Sequence, residues 1–295
     1  MAFADLPYCV LRCSPNFTKH TSFFAALSVL LLPLKAADLP SDTGFLMAGY
    51  LDEGKAEFNL YEATIMQYNE PRQGTVTHIW VKEPWNAERS IKHQGPDRGD
   101  YEVIKLNQVI SYPTGLYRYE QMWSGFWKRD DAVLVKWSLS HHEACGNTFK
   151  QARLENGRTH FVYHSYFEGH GEGSEEVSLP QKTLFYEELP LRLRLAVPGG
   201  LPDPVIVPLV GTVIHAKSDR LEPQPATIRQ IRRDDREVEF EVTHRSGKDR
   251  LIFETTKPFK LLSWEMADGS RLRLHKSLVT DYWNQNRPGD EKLLE

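Results

Sequence analysis

The stretch "AVLVKWSLSHHEACGNTF", Ala132–Phe149, decides the fold. Its first half alternates: Val135, Trp137 and Leu139 share one parity, and Lys136, Ser138 and Ser140 share the other. A period of two describes a strand with one buried face and one wet face. The second half gathers four chemically capable side chains, His141, His142, Glu143 and Cys145, just before Gly146. Adjacent strand residues point to opposite faces, so His141 and His142 cannot serve one ion. His141, Glu143 and Cys145 could share a face if the strand continues. Zinc chemistry there lacks the H-E-x-x-H spacing and any C-x-x-C pair. A thiol nucleophile, Cys145 ionised by His141 or His142, is the catalytic alternative. A cysteine followed by glycine at a strand end is more simply a small residue at a tight turn. The stretch therefore reads as a strand ending in a turn.

The same pattern extends in both directions. "AEFNLYEATIMQY" (Ala56–Tyr68), "TVTHIWV" (Thr75–Val81), "YEVIKLN" (Tyr101–Asn107), "TGLYRYEQMW" (Thr114–Trp123) and "THFVYHSYF" (Thr159–Phe167) are rich in β-branched and aromatic residues. Gly, Pro and Asn cluster between them in "YNEPRQG", "HQGPDRGD" and "ENGR", as turns require. A second run follows, from "VIVPLVGTVIHAK" (Val205–Lys217) to "SRLRLHKS" (Ser270–Ser277), with "SGKD" and "ADGS" as hairpin turns. Between the two runs, "QKTLFYEELPLRLRLA" predicts a helix over about Leu179–Leu189, interrupted by Pro190. "VPGGLPDP" (Val197–Pro204) predicts a rigid linker, and any subdivision of the domain would fall near 195–204. No Gly-rich strand-to-helix loop, βαβ rhythm or fixed repeat is present. The expected fold is mainly β: a curved antiparallel sheet or open half-barrel with one or two short helices.

Within it, "YRYEQMWSGFWKRDD" (Tyr117–Asp131) is the densest aromatic segment. Tyr117, Tyr119, Met122, Trp123, Phe126 and Trp127, with Trp137 from the neighbouring stretch, form the expected ligand-binding set. Ordinary core is the competing use of the same residues. "EGHGEG", with His170 among Glu168, Glu172, Glu175 and Glu176, lacks the Asp/Asn spacing of a calcium loop and reads as a solvated turn. No metal or cofactor is expected.

The N-terminus breaks from this composition. Lys19 and His20 precede "FFAALSVLLLPL" (Phe23–Leu34), followed by Ala36 and Ala37, the layout of a secretory signal peptide. The apolar run is shorter than the ~20 residues needed to span a bilayer. The expected division is a leader over 1–36 and one exported β domain over 37–295. Removing the leader takes away Arg12, Lys19, Lys35 and Asp5, moving the formal charge from −4 to −6. It also leaves Cys145 as the sole cysteine, so the mature chain has no internal disulfide and relies on core packing. No basic excess points to nucleic acid or to an anionic membrane surface.

The segments "GKAEFNLYEATIMQYNEPRQGTVTHIWVKEPW", "VIKLN", "YPTGLYRYEQMWSGF", "HEACGNTF", "YFEG" and "FKLLSWEMADGSRLRLHKSLVTDYW" carry a resemblance to a group of uncharacterised bacterial exported proteins. It covers about Gly49 to Trp283. Some members of that group carry the label "septum formation inhibitor Maf". The SPRR-type motif of the Maf nucleotide pyrophosphatases has no counterpart here; "CSPNFTK" (Cys13–Lys19) lacks the arginines. In outline the chain is also distantly similar to LolA-type half-barrel periplasmic domains. The leader-like N-terminus, the mainly-β periodicity and the aromatic-rich central strands lead to the expectation of a periplasmic or envelope-associated, non-enzymatic protein that holds a lipid, another apolar molecule or an envelope partner in a concave sheet. The alternatives are a thiol-dependent hydrolase using Cys145 with His141 or His142, and a structural envelope protein without a ligand.

Overall fold

The computed structural model describes residues 39–294 apart from 41, 48, 218 and 219, so the leader expected over 1–36 lies outside the described residues. The strands are β1 (Ala56–Gln67), β2 (Glu70–Asn86), β3 (Ile91–Lys92), β4 (Tyr101–Thr114), β5 (Tyr117–Lys128), β6 (Leu134–Glu143), β7 (Gly146–Glu155), β8 (Arg158–Ser165) and β9 (Glu172–Val177). Then come β10 (Leu184–Phe185), a 3-10 turn (Tyr186–Glu188) running into helix α1 (Leu189–Ala196), and β11 (Val205–Val210). The chain closes with β12 (Gln224–Arg233), β13 (Glu237–His244), β14 (Gly247–Glu254), β15 (Leu261–Glu265) and β16 (Arg271–Thr280).

All sixteen strands belong to one sheet, ordered β10-β11-β12-β13-β14-β15-β16-β1-β2-β4-β5-β6-β7-β8-β9, with β3 attached to β2. Every pairing is antiparallel except β10 with β11. The fold is thus mainly β and open, as the alternating pattern leads one to expect: β9 and β10 are unpaired edges and no barrel closes. Fifteen strands on one path would put those edges about 65 Å apart in a flat sheet. Yet only residues 178–183 join β9 to β10, and so short a link spans at most about 25 Å. The two arms of the sheet therefore face each other. Contacts across the gap show it: Trp137 on β6 meets Phe185 on β10 at 5.5 Å between ring centroids, and Lys150 Nζ on β7 donates to Val213 O at 3.1 Å.

Alternation decides which side chains enter the space between the arms. On β6, Trp137, Leu139, His141 and Glu143 are buried while Ser140 and His142 are exposed. On β5, Tyr119, Gln121, Trp123, Gly125 and Trp127 point inward. Gly125 is needed there, because a Cβ would lie 2.3 Å from the Trp127 ring and 2.4 Å from that of Trp123. At the tip of β1–β2 a two-residue turn holds Tyr68 at φ 56° and Asn69 at φ 59°, so β2 begins at Glu70, before the Thr75 start predicted for it.

The helix lies later than the sequence suggests, over Tyr186–Ala196 instead of Leu179–Leu189. Pro190 falls in the first turn of α1, where a missing N–H leaves no bond unmade, so it opens the helix and does not end it. Leu189, Leu191, Leu193, Leu195 and Ala196 are all buried, because α1 sits between the arms and has apolar neighbours on most sides. Arg194 forms a buried two-pronged pair with Glu57 of β1, at 2.9 and 2.7 Å. Glu188 accepts from Trp127 Nε1 at 2.8 Å, which ties the helix start to β5.

Candidate functional site

Toward one end of the space between the arms lies a half-open cavity of about 350 Å³. Its walls come from both arms. Ile65–Gln67 of β1, Gln108 and Tyr112 of β4, Tyr119 and Gln121 of β5, and His141 and Glu143 of β6 form one side. Tyr186 and Glu187, the Gly211–Ala216 segment, His244, Trp264 and the Met266–Ser270 turn form the other.

The first wall follows from register. Ile110, Gln121, His141 and Thr148 stand opposite one another on β4, β5, β6 and β7, and the first three of this row line the cavity. Gln121 Nε2 lies 3.0 Å from His141 Nδ1. With the amide donating, the neutral ring carries its proton on Nε2, which has no hydrogen-bond partner; the Glu143 carboxylate is 3.8 Å away. Burial holds the His141 pKa below its ordinary value, against the opposing pull of Glu143. Tyr112 and Tyr119 stack with centroids 5.1 Å apart, and Tyr119 Oη meets Tyr68 Oη at 2.6 Å at the exposed hairpin tip. Burial, and after it Glu143, pushes the Tyr119 phenol far above the usual range.

The second wall is organised by Asp249, which is wholly buried. It accepts from His244 Nε2 at 3.0 Å, Trp264 Nε1 at 2.9 Å, the Ala267 amide at 2.9 Å and the Tyr186 hydroxyl. Burial raises the Asp249 pKa, but these donors outweigh it and keep the carboxyl ionised, below its ordinary value. Glu187 is different. Its Oε1 accepts from Thr212 Oγ1 at 2.6 Å and from the Val213 amide at 3.0 Å, while Oε2 has no partner. Burial raises its pKa to about 7. Gln108 Oε1 is likewise buried and without a partner. Three side chains of the cavity lining therefore hold a buried polar atom without a hydrogen-bond partner: Gln108 Oε1, Glu187 Oε2 and His141 Nε2, the last with only the Glu143 carboxylate near it.

Of the expected ligand set, Tyr119 lines this cavity. Trp123, Trp127 and Trp137 are fully buried in the core around α1, and Tyr117 is half-buried beside Tyr119. Met122 and Phe126 have the opposite parity on β5 and face away from the cavity side. Cys145 is exposed in the two-residue turn between β6 and β7, His142 is exposed beside Asn147, and His141 points inward, so the strand ends before the three can converge. Among the described residues no cluster of His, Cys, Asp and Glu is arranged to hold a metal ion. No helix of the described residues is long and apolar enough to cross a membrane.

Gln108, Gln121, Glu187, His244 and Asp249 are site residues that periodicity alone does not pick out. A signal was present for the first two: each is a polar residue at an inward parity otherwise held by Ile, Leu, Trp and Tyr. Comparison with known protein families, with curated proteins and with solved structures finds no match, so these geometric relations carry the functional argument.

Proposed function

We propose that this protein is a non-enzymatic binder that holds a small amphipathic organic molecule in the cavity between the two arms of its sheet. The observation that carries the reading is the set of unmatched polar atoms on Gln108, His141 and Glu187 at one cavity. A buried polar atom without a partner costs about 1–3 kcal/mol, and a bound molecule that draws such a side chain toward the cavity removes that penalty. The remaining lining, Ile65, Ile110, Ile214, Trp264 and Met266, suits an apolar body. A volume of about 350 Å³ lies at the small end of the ~300–1,000 Å³ range of ligand sites, which favours a compact molecule over a two-chain lipid. With the leader-like N-terminus, the reading includes export and action in the periplasm or cell envelope.

Native mass spectrometry of the protein purified from its own host tests both parts. The parent is expected to carry a dissociable small molecule and to begin near Ala37. Ala216→Trp, which fills the cavity, is expected to abolish the bound mass. Equal occupancy in parent and variant, or an empty parent, counts against the cavity; a full-length cytoplasmic chain counts against export.

A further inference from the structure

Resting on that reading, we infer that the cavity selects organic cations: a protonated amine carried on a compact apolar or aromatic body. Electrostatics of the lining is the first argument. Glu143, Glu187 and Asp268 face the cavity, and among the described lining residues there is no lysine or arginine. Lys150, whose charge acts on Glu187, donates to Val213 O at 3.1 Å and to Lys217 O. A carboxylate or phosphate ligand would meet carboxylates and no guanidinium or ammonium on this wall, an unfavourable approach of like charges. His141 does not supply the missing charge, because burial keeps it neutral.

The second argument is the unpartnered oxygen. Asp268 is spent on the Ser270 amide and hydroxyl, at 2.7 and 3.1 Å. Glu187 is 1% exposed, is fixed through Oε1 and keeps Oε2 buried beside the cavity without a hydrogen-bond partner. An ammonium N–H donated to Oε2 would form the charge-assisted hydrogen bond that the folded chain leaves unmade. Gln108 Oε1, also unpartnered, can accept a second N–H. The rings of Tyr112, Tyr119, Tyr186 and Trp264 surround the space, and aromatic faces attract cations, most strongly away from water.

Three probes sharing one ring distinguish the possibilities: benzylammonium, benzyl alcohol and benzoate, titrated above pH 7 with binding followed by ligand-detected NMR. Benzylammonium is expected to bind about tenfold tighter than benzyl alcohol, the fold-change of one charge-assisted bond, with benzoate weakest. Glu187→Gln should erase the amine's advantage over benzyl alcohol, and a far-ultraviolet dichroism spectrum matching the parent's shows that the variant is folded. Benzyl alcohol or benzoate binding the parent as tightly as the amine overturns the inference and leaves the binding reading standing. An amine preference that survives Glu187→Gln overturns the role given to Glu187. Failure of all three probes at millimolar concentration removes both the inference and the reading beneath it.

Discussion

Glu187 and His78 are both buried titratable side chains, yet burial moves them in opposite directions. Glu187 is held near 7, above its ordinary 4.5, because the interior penalises its carboxylate. His78, its ring tilted against that of Tyr61 with centroids 4.8 Å apart and with neither ring nitrogen hydrogen-bonded, is held down at about 3 for the same reason. Between pH 4.5 and 7 folded Glu187 binds more protons than the unfolded chain, so its contribution to stability falls as pH rises. Between about 3 and 6.5 His78 binds fewer, so its contribution rises with pH, and the two largely cancel where the windows overlap. Comparing Glu187→Gln with the parent separates them, since His78 acts in both proteins. The glutamine keeps the acceptor for Thr212 and Val213 and mimics the protonated acid. The variant is expected to equal the parent near pH 4.5 and to exceed its stability by up to about 3 kcal/mol above pH 7. Urea midpoints at the two pH values measure this, and identical pH profiles for both proteins would remove Glu187 as a strained buried acid.

Helix α1 is held by charge as well as by grease, and its energetics differ from those of the strands around it. Arg194 and Glu57 are 2% and 1% exposed, so removing one partner strands the other charge in the interior. Arg194→Ala is expected to destabilise the fold by about 3–5 kcal/mol, whereas replacing both residues together with apolar side chains of similar volume should cost far less. Equal losses for the single and double variants in chemical denaturation would show that the helix is docked by packing alone. This element also marks where sequence reading reached its limit. Strand period was visible because alternation is a local property, and "AVLVKWSLSHHE" folds as its pattern implies, with His141 inward and His142 outward. The helix was displaced because Pro190 looks the same in sequence whether it opens a helix or ends one. Only the neighbours of "LPLRLRLA" decide, and they lie on β1 and β5, over sixty residues away. The candidate site was half legible for the same reason. Parity placed His141 and Glu143 on one face, but Glu187 and Asp249 join them through a topology that no local spacing encodes.

At the scale of the molecule, the open seam between β9 and β10 raises the question whether the two arms are one folding unit or two. The sheet continues through the β16–β1 pairing, which joins the last strand to the first from Ala56↔Thr280 to Thr64↔Arg271 with a register shift between Leu60 and Tyr61. One hydrophobic cluster includes Trp123, Trp137 and Phe161 from the first arm and Phe240, Phe253 and Trp264 from the second, with the leucines of α1 among them. Tyr61 Oη on β1 donates to Leu261 O at 3.1 Å, a bond between residues 200 apart in sequence. The inner faces of both arms share that cluster, which fits the single domain expected from the sequence, with 195–204 as the place where any subdivision of it would fall. Thermal unfolding is accordingly expected to be one cooperative transition, with calorimetric and van't Hoff enthalpies in agreement. Arg194→Ala at the helix and Trp264→Leu in the second arm should lower that same transition when monitored by tryptophan fluorescence and by far-ultraviolet dichroism alike. Two resolved transitions, with each substitution shifting only one, would mean that the arms fold independently and that the cavity between them is an interface of two domains.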